Sequence, residues 1–212
     1  MIIKGMKCAA WIVFCQVFAI GWMGCGGSTT ANDEQIINEA ISLAVDKPLT
    51  GPGSGVKPTD YPKVKVLSIY PVEERTAEKR VVGISLISKL TELEELNLGA
   101  NNIADLSPLE NLNKLTRLDF SKNQVSGLTP LVGKNNLVIL NATGNQIEDI
   151  STLSELTKLE VVYLSDNQIT DISPLLNLKA LKELTIKGNK VSAADIDKLK
   201  QSLPKGCYLD IH

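Results

Sequence analysis

Few side chains in this sequence could perform acid–base or nucleophilic catalysis. The 212 residues include a single histidine, His212, which is also the last residue. No serine or cysteine therefore has an imidazole that could activate it as a nucleophile. Cys207 alternates with Leu209 and Ile211 in a strand-like segment, which predicts a buried, unreactive thiol. We expect no enzymatic activity, no catalytic residue and no cofactor.

The sequence also gives little support to metal or nucleic-acid chemistry. Asp105, Asp149 and Asp171 stand at multiples of 22 residues, and single carboxylates at such a spacing usually accept hydrogen bonds from nearby backbone groups. We therefore predict no metal site. Aromatic residues make up only 4% of the chain and the formal net charge is −2. The stacking rings and the basic face that nucleic-acid binding requires are both missing.

The first 25 residues have the features of a secretory signal. Lys4 and Lys7 precede an apolar run from Cys8 to Met23, and the small residues Gly24-Cys25-Gly26-Gly27 follow. This run is short for a transmembrane helix, which needs about 20 apolar residues. The Gly24-Cys25 pair resembles the cleavage site of bacterial lipoproteins, in which the cysteine becomes the lipidated first residue.

That resemblance implies a place in the cell envelope. It predicts a signal peptide over 1–24, palmitate on Cys25 that anchors the protein to a bacterial membrane, and a flexible tether over 25–31. An uncleaved N-terminal anchor and simple secretion remain open as alternatives. With Cys8 and Cys15 in the signal and Cys25 lipidated, Cys207 has no partner, so no disulfide is expected.

A period of 22 residues organises the chain from Val81 to Val191. Two leucine or valine columns and one asparagine column recur at this spacing without an insertion. The columns are Leu93, Leu115, Leu137, Leu159 and Leu181; Leu96, Leu118, Leu140, Val162 and Leu184; and Asn101, Asn123, Asn145, Asn167 and Asn189. Five copies in phase indicate a repeat architecture, in which each unit depends on its neighbours for a core.

Each copy begins L-x-x-L-x-L-x-x-N-x-I, and this alternation predicts a short strand with one buried face. The asparagine follows where the chain leaves the strand. Because its side chain both donates and accepts hydrogen bonds, we predict a buried asparagine ladder that satisfies the backbone of the turns. Ser107, Thr129 and Ser173 each precede a proline and are predicted to cap 3₁₀ turns on the return path.

This pattern resembles the leucine-rich repeat, in the 22-residue class of the internalins. The resemblance implies an α/β solenoid: a right-handed superhelix with a parallel sheet on its concave side and 3₁₀ or extended segments on its convex side. Another column places the large Phe120 next to the small Ala142, as expected if adjacent repeats share one core volume.

The segments on either side of the repeats are predicted to cap the solenoid. Residues 32–46 show helical spacing with Asn32 or Asp33 as the N-cap, and a strand over Val64–Ile69 follows. A charged insertion, Glu73–Arg80, is interpreted as a solvated excursion, with a functional loop as the alternative. We predict one domain over 32–212, comprising an N-terminal cap with a degenerate first repeat (32–80), regular repeats (81–191) and a C-terminal helix and strand (192–212).

The residues between the buried leucines are predicted to face outward on the concave sheet. Ile139, Val161 and Tyr163 are apolar there, on two adjacent repeats, with charged residues on either side. An apolar centre ringed by charge is typical of a protein-binding surface, although such residues also simply suit exposed strands. We name the set the concave patch: Arg117, Asp119, Ile139, Val161, Tyr163, Glu183 and Lys187.

These observations favour a monomeric, membrane-anchored, non-catalytic module that binds an unidentified protein or peptide through its concave sheet. A preordered surface lowers the entropic cost of association. The alternative is a structural protein of the cell envelope with no soluble ligand. Neither interpretation involves nucleic acid.

Overall fold

The computed structural model describes residues 29–44, 57–69 and 80–211. Seven short parallel strands form one sheet in which each strand pairs with the next in the chain. They are β1 (Val66–Ser68), β2 (Glu95–Asn97), β3 (Arg117–Asp119), β4 (Ile139–Asn141), β5 (Val161–Tyr163), β6 (Glu183–Thr185) and β7 (Tyr208–Asp210). From β2 to β6 the paired residues are 22 positions apart, as in Leu118 with Leu140. The predicted leucine-rich-repeat solenoid is confirmed.

Short 3₁₀ helices return the chain from one strand to the next, as predicted. They cover Ser85–Lys89, Ser107–Leu109, Thr129–Leu131, Ser151–Glu155 and Ser173–Asn177. The predicted caps are wrong, because Ser107, Thr129 and Ser173 are the first helical residues and the N-cap residues before them make no side-chain cap hydrogen bond.

The aspartate column takes over the predicted capping role. Asp105 accepts a hydrogen bond from the backbone N–H of Ser107 at 2.8 Å, and Asp149 and Asp171 do the same for Ser151 and Ser173. The hydrogen bonds from Ser151 lower the pKa of Asp149 because they stabilise its ionised form. The prediction that these carboxylates bind local backbone groups is confirmed.

The core is a continuous stack of apolar columns in which each repeat packs against its neighbours. The column that contains Phe120 and Ala142 is at most 3% exposed along its whole length: Leu98, Phe120, Ala142, Leu164 and Ile186. Phe120 and Ala142 directly follow the adjacent strands β3 and β4, and the N–H of Phe120 donates to the carbonyl of Asn141 at 2.9 Å. The large side chain of one repeat thus lies beside the small one of the next.

The N-terminal helix α1 (Thr29–Ala44) begins three residues earlier than predicted, so Thr29–Ala31, assigned to the tether, are helical. Neither Asn32 nor Asp33 is the N-cap, because both lie inside the helix, and Asp33 has another role. Its Oδ2 accepts hydrogen bonds from the N–H groups of Val82 (3.2 Å) and Gly83 (2.7 Å), and the side chain is buried. These tertiary bonds hold α1 against the first repeat and take precedence over local capping. A 3₁₀ helix (Pro58–Lys63) then precedes β1.

The C-terminal cap is α2 (Ala193–Ser202), followed by β7. Ser192 is its N-cap and accepts a hydrogen bond from the N–H of Asp195 at 3.1 Å. Cys207 lies just before β7 and is partly, not fully, buried, which raises the pKa of its thiol and favours the unreactive protonated form.

Four predictions lie wholly or partly outside the described ranges. They are the signal peptide, the lipidated Cys25, residues 25–28 of the tether and all of the charged insertion except Arg80. Within the ranges that the structure describes, no helix has both the length and the apolar character needed to cross a bilayer.

Candidate functional site

The asparagine ladder fixes the turns that follow the strands. The Asn145 Nδ2 group donates to the carbonyls of Phe120 (3.1 Å) in the preceding repeat and Ala142 (3.0 Å) in its own, while Oδ1 accepts from the N–H of Val125 at 3.0 Å. The same pattern recurs at Asn101, Asn123, Asn167 and Asn189. The predicted ladder is confirmed, and it joins consecutive turns into one scaffold.

This scaffold imposes a left-handed backbone on the residue before each ladder asparagine. The φ angles are 59° at Ala100, 55° at Lys122, 70° at Gly144, 56° at Asp166 and 70° at Gly188. Glycine adopts this conformation without strain, whereas other L-residues pay about 1–2 kcal/mol. Three of these five turns therefore carry a side chain at an energetic cost.

The sheet register brings the apolar members of the concave patch together. Ile139 pairs with Val161 on the neighbouring strand, and Tyr163 pairs with Asn141. Arg117 lies opposite Ile139 on β3, and Glu183 lies opposite Val161 on β6. All of the patch residues are at least partly exposed: Arg117, Asp119, Ile139, Val161, Tyr163, Glu183 and Lys187.

Several charged groups around the patch already have partners within the protein. The Arg117 Nε atom lies 3.6 Å from a carboxylate oxygen of Glu95. Asp119 accepts hydrogen bonds from the N–H of Ser121 and from Asn141 Nδ2, each at 2.8 Å. Asp119 is thus engaged in satisfying its own turn and the next strand, so its contribution to recognition is smaller than its position in the sequence indicates.

An open depression of about 310 Å³ lies beside the apolar centre, towards the turns. Tyr163 is its only aromatic lining residue, and the other side chains are polar or charged. The side chains that line it besides Tyr163 are Ser121, Lys122, Asn141, Thr143, Ser165, Asp166, Thr185, Lys187 and Asp210. It offers a ring face surrounded by hydrogen-bonding groups of both charges, an arrangement suited to a ligand with apolar and polar parts.

The family model for leucine-rich repeats, in two copies, matches residues 157–201. The crystal structure of internalin C2 from Listeria monocytogenes is similar to this chain with 31% sequence identity and a TM-score of 0.65, over 83% of this chain and 74% of that chain. The chain belongs to the leucine-rich-repeat family. This fold is typical of protein-binding modules.

Two further solved structures resemble this leucine-rich-repeat protein. An internalin F from Listeria monocytogenes is 26% identical with a TM-score of 0.63, and the match covers 84% of this chain but 57% of that one. A leucine-rich-repeat protein of Leptospira interrogans, 20% identical with a TM-score of 0.52 over 72% of this chain and 50% of the other, shares the fold. No curated protein matches this chain.

The structure adds residues that the sequence reasoning missed. Val138 is partly exposed and lies next to Ile139, so it extends the apolar centre. The pattern L-x-x-L has two outward positions before the second leucine, and Val138 occupies the first of them, so the sequence could have predicted its exposure. The residues directly before the ladder asparagines form a further column, which we call the turn column: Ala100, Lys122, Gly144, Asp166 and Gly188. Two of them, Lys122 and Asp166, line the depression although neither lies on a strand.

Lys134, on the return path of its repeat, is a buried charged residue that the sequence analysis did not predict. It occupies the column of Leu90, Leu112, Leu156 and Leu178, and it is fully buried. Its Nζ donates to the carbonyl of Glu110 at 2.7 Å and to Asn113 Oδ1 at 3.3 Å. Burial lowers the pKa of this lysine because it penalises the charged form. The break in the leucine column marks the position in the sequence.

Proposed function

We propose that this protein is a non-catalytic module that binds a protein or peptide through its concave patch. The proposal depends mainly on the apolar centre formed by Ile139, Val161 and Tyr163, all partly exposed on the adjacent strands β4 and β5, with the partly exposed Val138 directly before β4. The outward positions of β2, β3 and β6 carry polar or charged residues instead. The terminal strands β1 and β7 also present Val66 and Tyr208 on this face, 52% and 60% exposed. A partly exposed apolar area flanked by charged residues in the middle of the sheet is the usual chemistry of a binding surface.

The rigidity of the scaffold supports this proposal. Each strand is only three residues long, but its neighbours, the asparagine ladder and the buried columns hold it in place. A partner would therefore bind a preordered surface, so little conformational entropy would be lost in ordering that surface. Because Arg117 and Asp119 are already partnered, we expect the affinity to come mainly from apolar burial, which gives it a weak dependence on salt.

Serine at three apolar positions tests the proposal. We expect the triple variant Ile139→Ser, Val161→Ser and Tyr163→Ser to lose at least about 100-fold in affinity for the partner, because truncated anchor residues commonly cost 1–2 kcal/mol or more each. The measurement is a quantitative pull-down from the native envelope with proteins identified by mass spectrometry.

The matched control is Val132→Ser, which removes an exposed apolar side chain (55% exposed) from the return segment of a repeat rather than from the sheet. Both variants must keep the melting temperature of the wild type within a few degrees for the comparison to hold. Equal capture by the wild type and the triple variant would contradict binding through this patch and favour a structural role in the envelope.

The proposal includes a lipid anchor on Cys25 and a monomeric protein of the 22-residue internalin-like class. The class is supported by the 22-residue step between paired strand residues. The anchor is supported by the basic, apolar and small residues that precede Cys25. The helix α1 starts four residues after Cys25, so a lipid there would keep the N-terminal cap within about 14 Å of its attachment point, the reach of four extended residues.

Metabolic labelling with radioactive palmitate tests the anchor. We expect the wild type to incorporate the label and to sediment with membranes, and the variant Cys25→Ser to lose both properties. Cys207→Ser is the control and should keep them, because that cysteine lies in the C-terminal cap. Retention of the label in Cys25→Ser would contradict lipidation at this residue.

A further inference from the structure

The turn column contains two charged residues, Lys122 and Asp166, at positions where glycine would make the fold more stable. All five residues before the ladder asparagines have positive φ, and Gly144 and Gly188 satisfy this requirement without strain. Lys122 meets the same requirement at a steric cost, and Asp166 meets it at a smaller cost because aspartate adopts this conformation more readily than most non-glycine residues. Both of these residues line the depression above Tyr163, whereas Ala100, the remaining non-glycine residue, does not.

The two charged side chains are also uncommitted within the described part of the protein. Neither the Lys122 ammonium nor the Asp166 carboxylate has a hydrogen bond or an ion pair with a described residue, and the same is true of Lys187. By contrast, Arg117 and Asp119 on this face are engaged internally. Charges that are retained in a strained turn and left without partners are available to a ligand.

We propose that Lys122 and Asp166 are specificity-determining residues that recognise one acidic and one basic side chain of an extended peptide. This inference rests on the proposed function and specifies the partner of the same surface. The acidic side chain of the peptide pairs with Lys122, and the basic one pairs with Asp166. The apolar residues between them pack against Tyr163.

The spacing of the strands sets the spacing of these two peptide residues. Lys122 follows β3 and Asp166 follows β5, so two inter-strand steps of about 4.8 Å place them roughly 10 Å apart. A polyproline II peptide rises about 3.1 Å per residue with three residues per turn, so residues i and i+3 lie on the same side about 9 Å apart. The geometry therefore matches an acidic-x-x-basic segment that crosses the strands.

The neighbouring residues shape this subsite further. Gly144 lies between the two charged turns and packs closely against Lys122, since a Cβ at Gly144 would lie 3.5 Å from the Lys122 side chain. Lys187 is exposed just after β6, where its carbonyl accepts the N–H of Asp166 at 2.8 Å, and its charge disfavours a second basic residue in the peptide. A single acid and a single base thus fit better than a run of either sign.

A defined peptide provides the test: acetyl-Pro-Glu-Leu-Pro-Lys-Pro-amide, titrated into the ¹⁵N-labelled chain from residue 25 onward, which keeps the whole predicted mature protein. We expect amide shifts at Lys122, Thr143 and Asp166, and a dissociation constant about fivefold weaker for each charge removed. Peptides in which both charged residues are Glu, both Lys or both Gln are expected to bind more weakly than the mixed one.

Glycine variants separate recognition from stability. Lys122→Gly and Asp166→Gly relieve the backbone strain, so their melting temperatures should match or exceed that of the wild type while peptide binding weakens about fivefold. Ala100→Gly is the matched control, since it relieves the same strain away from the depression and should leave binding unchanged.

Two results would overturn the inference. The first is the absence of shifts around the depression at millimolar peptide, and the second is wild-type affinity in both glycine variants. Loss of partner capture in the Ile139, Val161 and Tyr163 serine variant, together with unchanged capture in Lys122→Gly and Asp166→Gly, would leave the proposed function standing and reject only this peptide specificity.

Discussion

Replacing Asn145 with alanine is expected to lower the free energy of unfolding by about 3–5 kcal/mol and the melting temperature by roughly 10 °C. The side chain is 9% exposed and serves the carbonyls of Phe120 and Ala142 and the N–H of Val125. Alanine cannot replace these bonds, so several buried backbone groups would lose their partners at once. Thermal unfolding followed by circular dichroism measures the effect.

Two control variants test whether the loss of stability in Asn145→Ala comes from buried hydrogen bonds. Asn189 makes the same hydrogen bonds at the last, less buried rung, so Asn189→Ala should destabilise less because water can reach the freed groups. Lys158 is exposed, and among the described residues its side chain bonds only to Asn136, so Lys158→Ala should change the stability by less than about 0.5 kcal/mol. Equal losses in all three variants would be incompatible with a ladder that carries buried bonds.

Replacing Phe120 with alanine is expected to be similarly severe, at about 3–5 kcal/mol, because a fully buried aromatic side chain is lost and a cavity remains. The reverse change on the next repeat, Ala142→Phe, overfills the same region and should cost about 1–3 kcal/mol or more. The double variant exchanges the two side chains between adjacent repeats and roughly conserves their combined volume.

A double-mutant cycle in chemical denaturant measures whether the repeats share this volume. We expect the double variant to be more stable than the sum of the single effects predicts, by at least about 1 kcal/mol. Val132→Ala combined with Phe120→Ala provides a pair without shared packing, because Val132 is exposed, and it should be additive. Additive effects in the exchange variant as well would show that Phe120 and Ala142 do not fill a common space.

The regular part of the fold follows directly from the sequence because its determinants are local and repeated. Leu118 and Leu140 are 22 residues apart in the sequence and pair with each other in the sheet. Each ladder asparagine lies in the turn that follows a strand. The 22-residue period converts a weak pattern in one repeat into a strong one over five. The short 3₁₀ helices follow from the small number of residues left in each repeat.

The ends and details of the fold depend on contacts that sequence spacing does not reveal. Asn32 or Asp33 was predicted to cap the first helix, but Asp33 lies inside that helix and bonds to Val82 and Gly83, about 50 residues away. Ser107 was predicted as a cap because it precedes a proline, yet Asp105 performs that function through an Asx-type hydrogen bond. Lys134 is buried in a leucine column because the Glu110 carbonyl and Asn113 satisfy its ammonium group.

Some features of the candidate site could likewise be predicted from the sequence, and others could not. The alternation of buried and outward residues was sufficient to predict that Ile139, Val161 and Tyr163 share one face, since successive strands align in register. It did not reveal that Asp119 is occupied by Asn141, or that Lys122 and Asp166 reach the same depression from the turns.

The sequence by itself determined the repeat, the strand faces, the ladder positions and the stacking of neighbours, because each of these depends on residue types at short, recurring intervals. Only the tertiary structure decided which charged groups are paired, which lysine is buried and which turn residues border the depression. Those properties depend on distances between side chains from different repeats. Such distances are set by how the coils pack and not by any one segment of the chain.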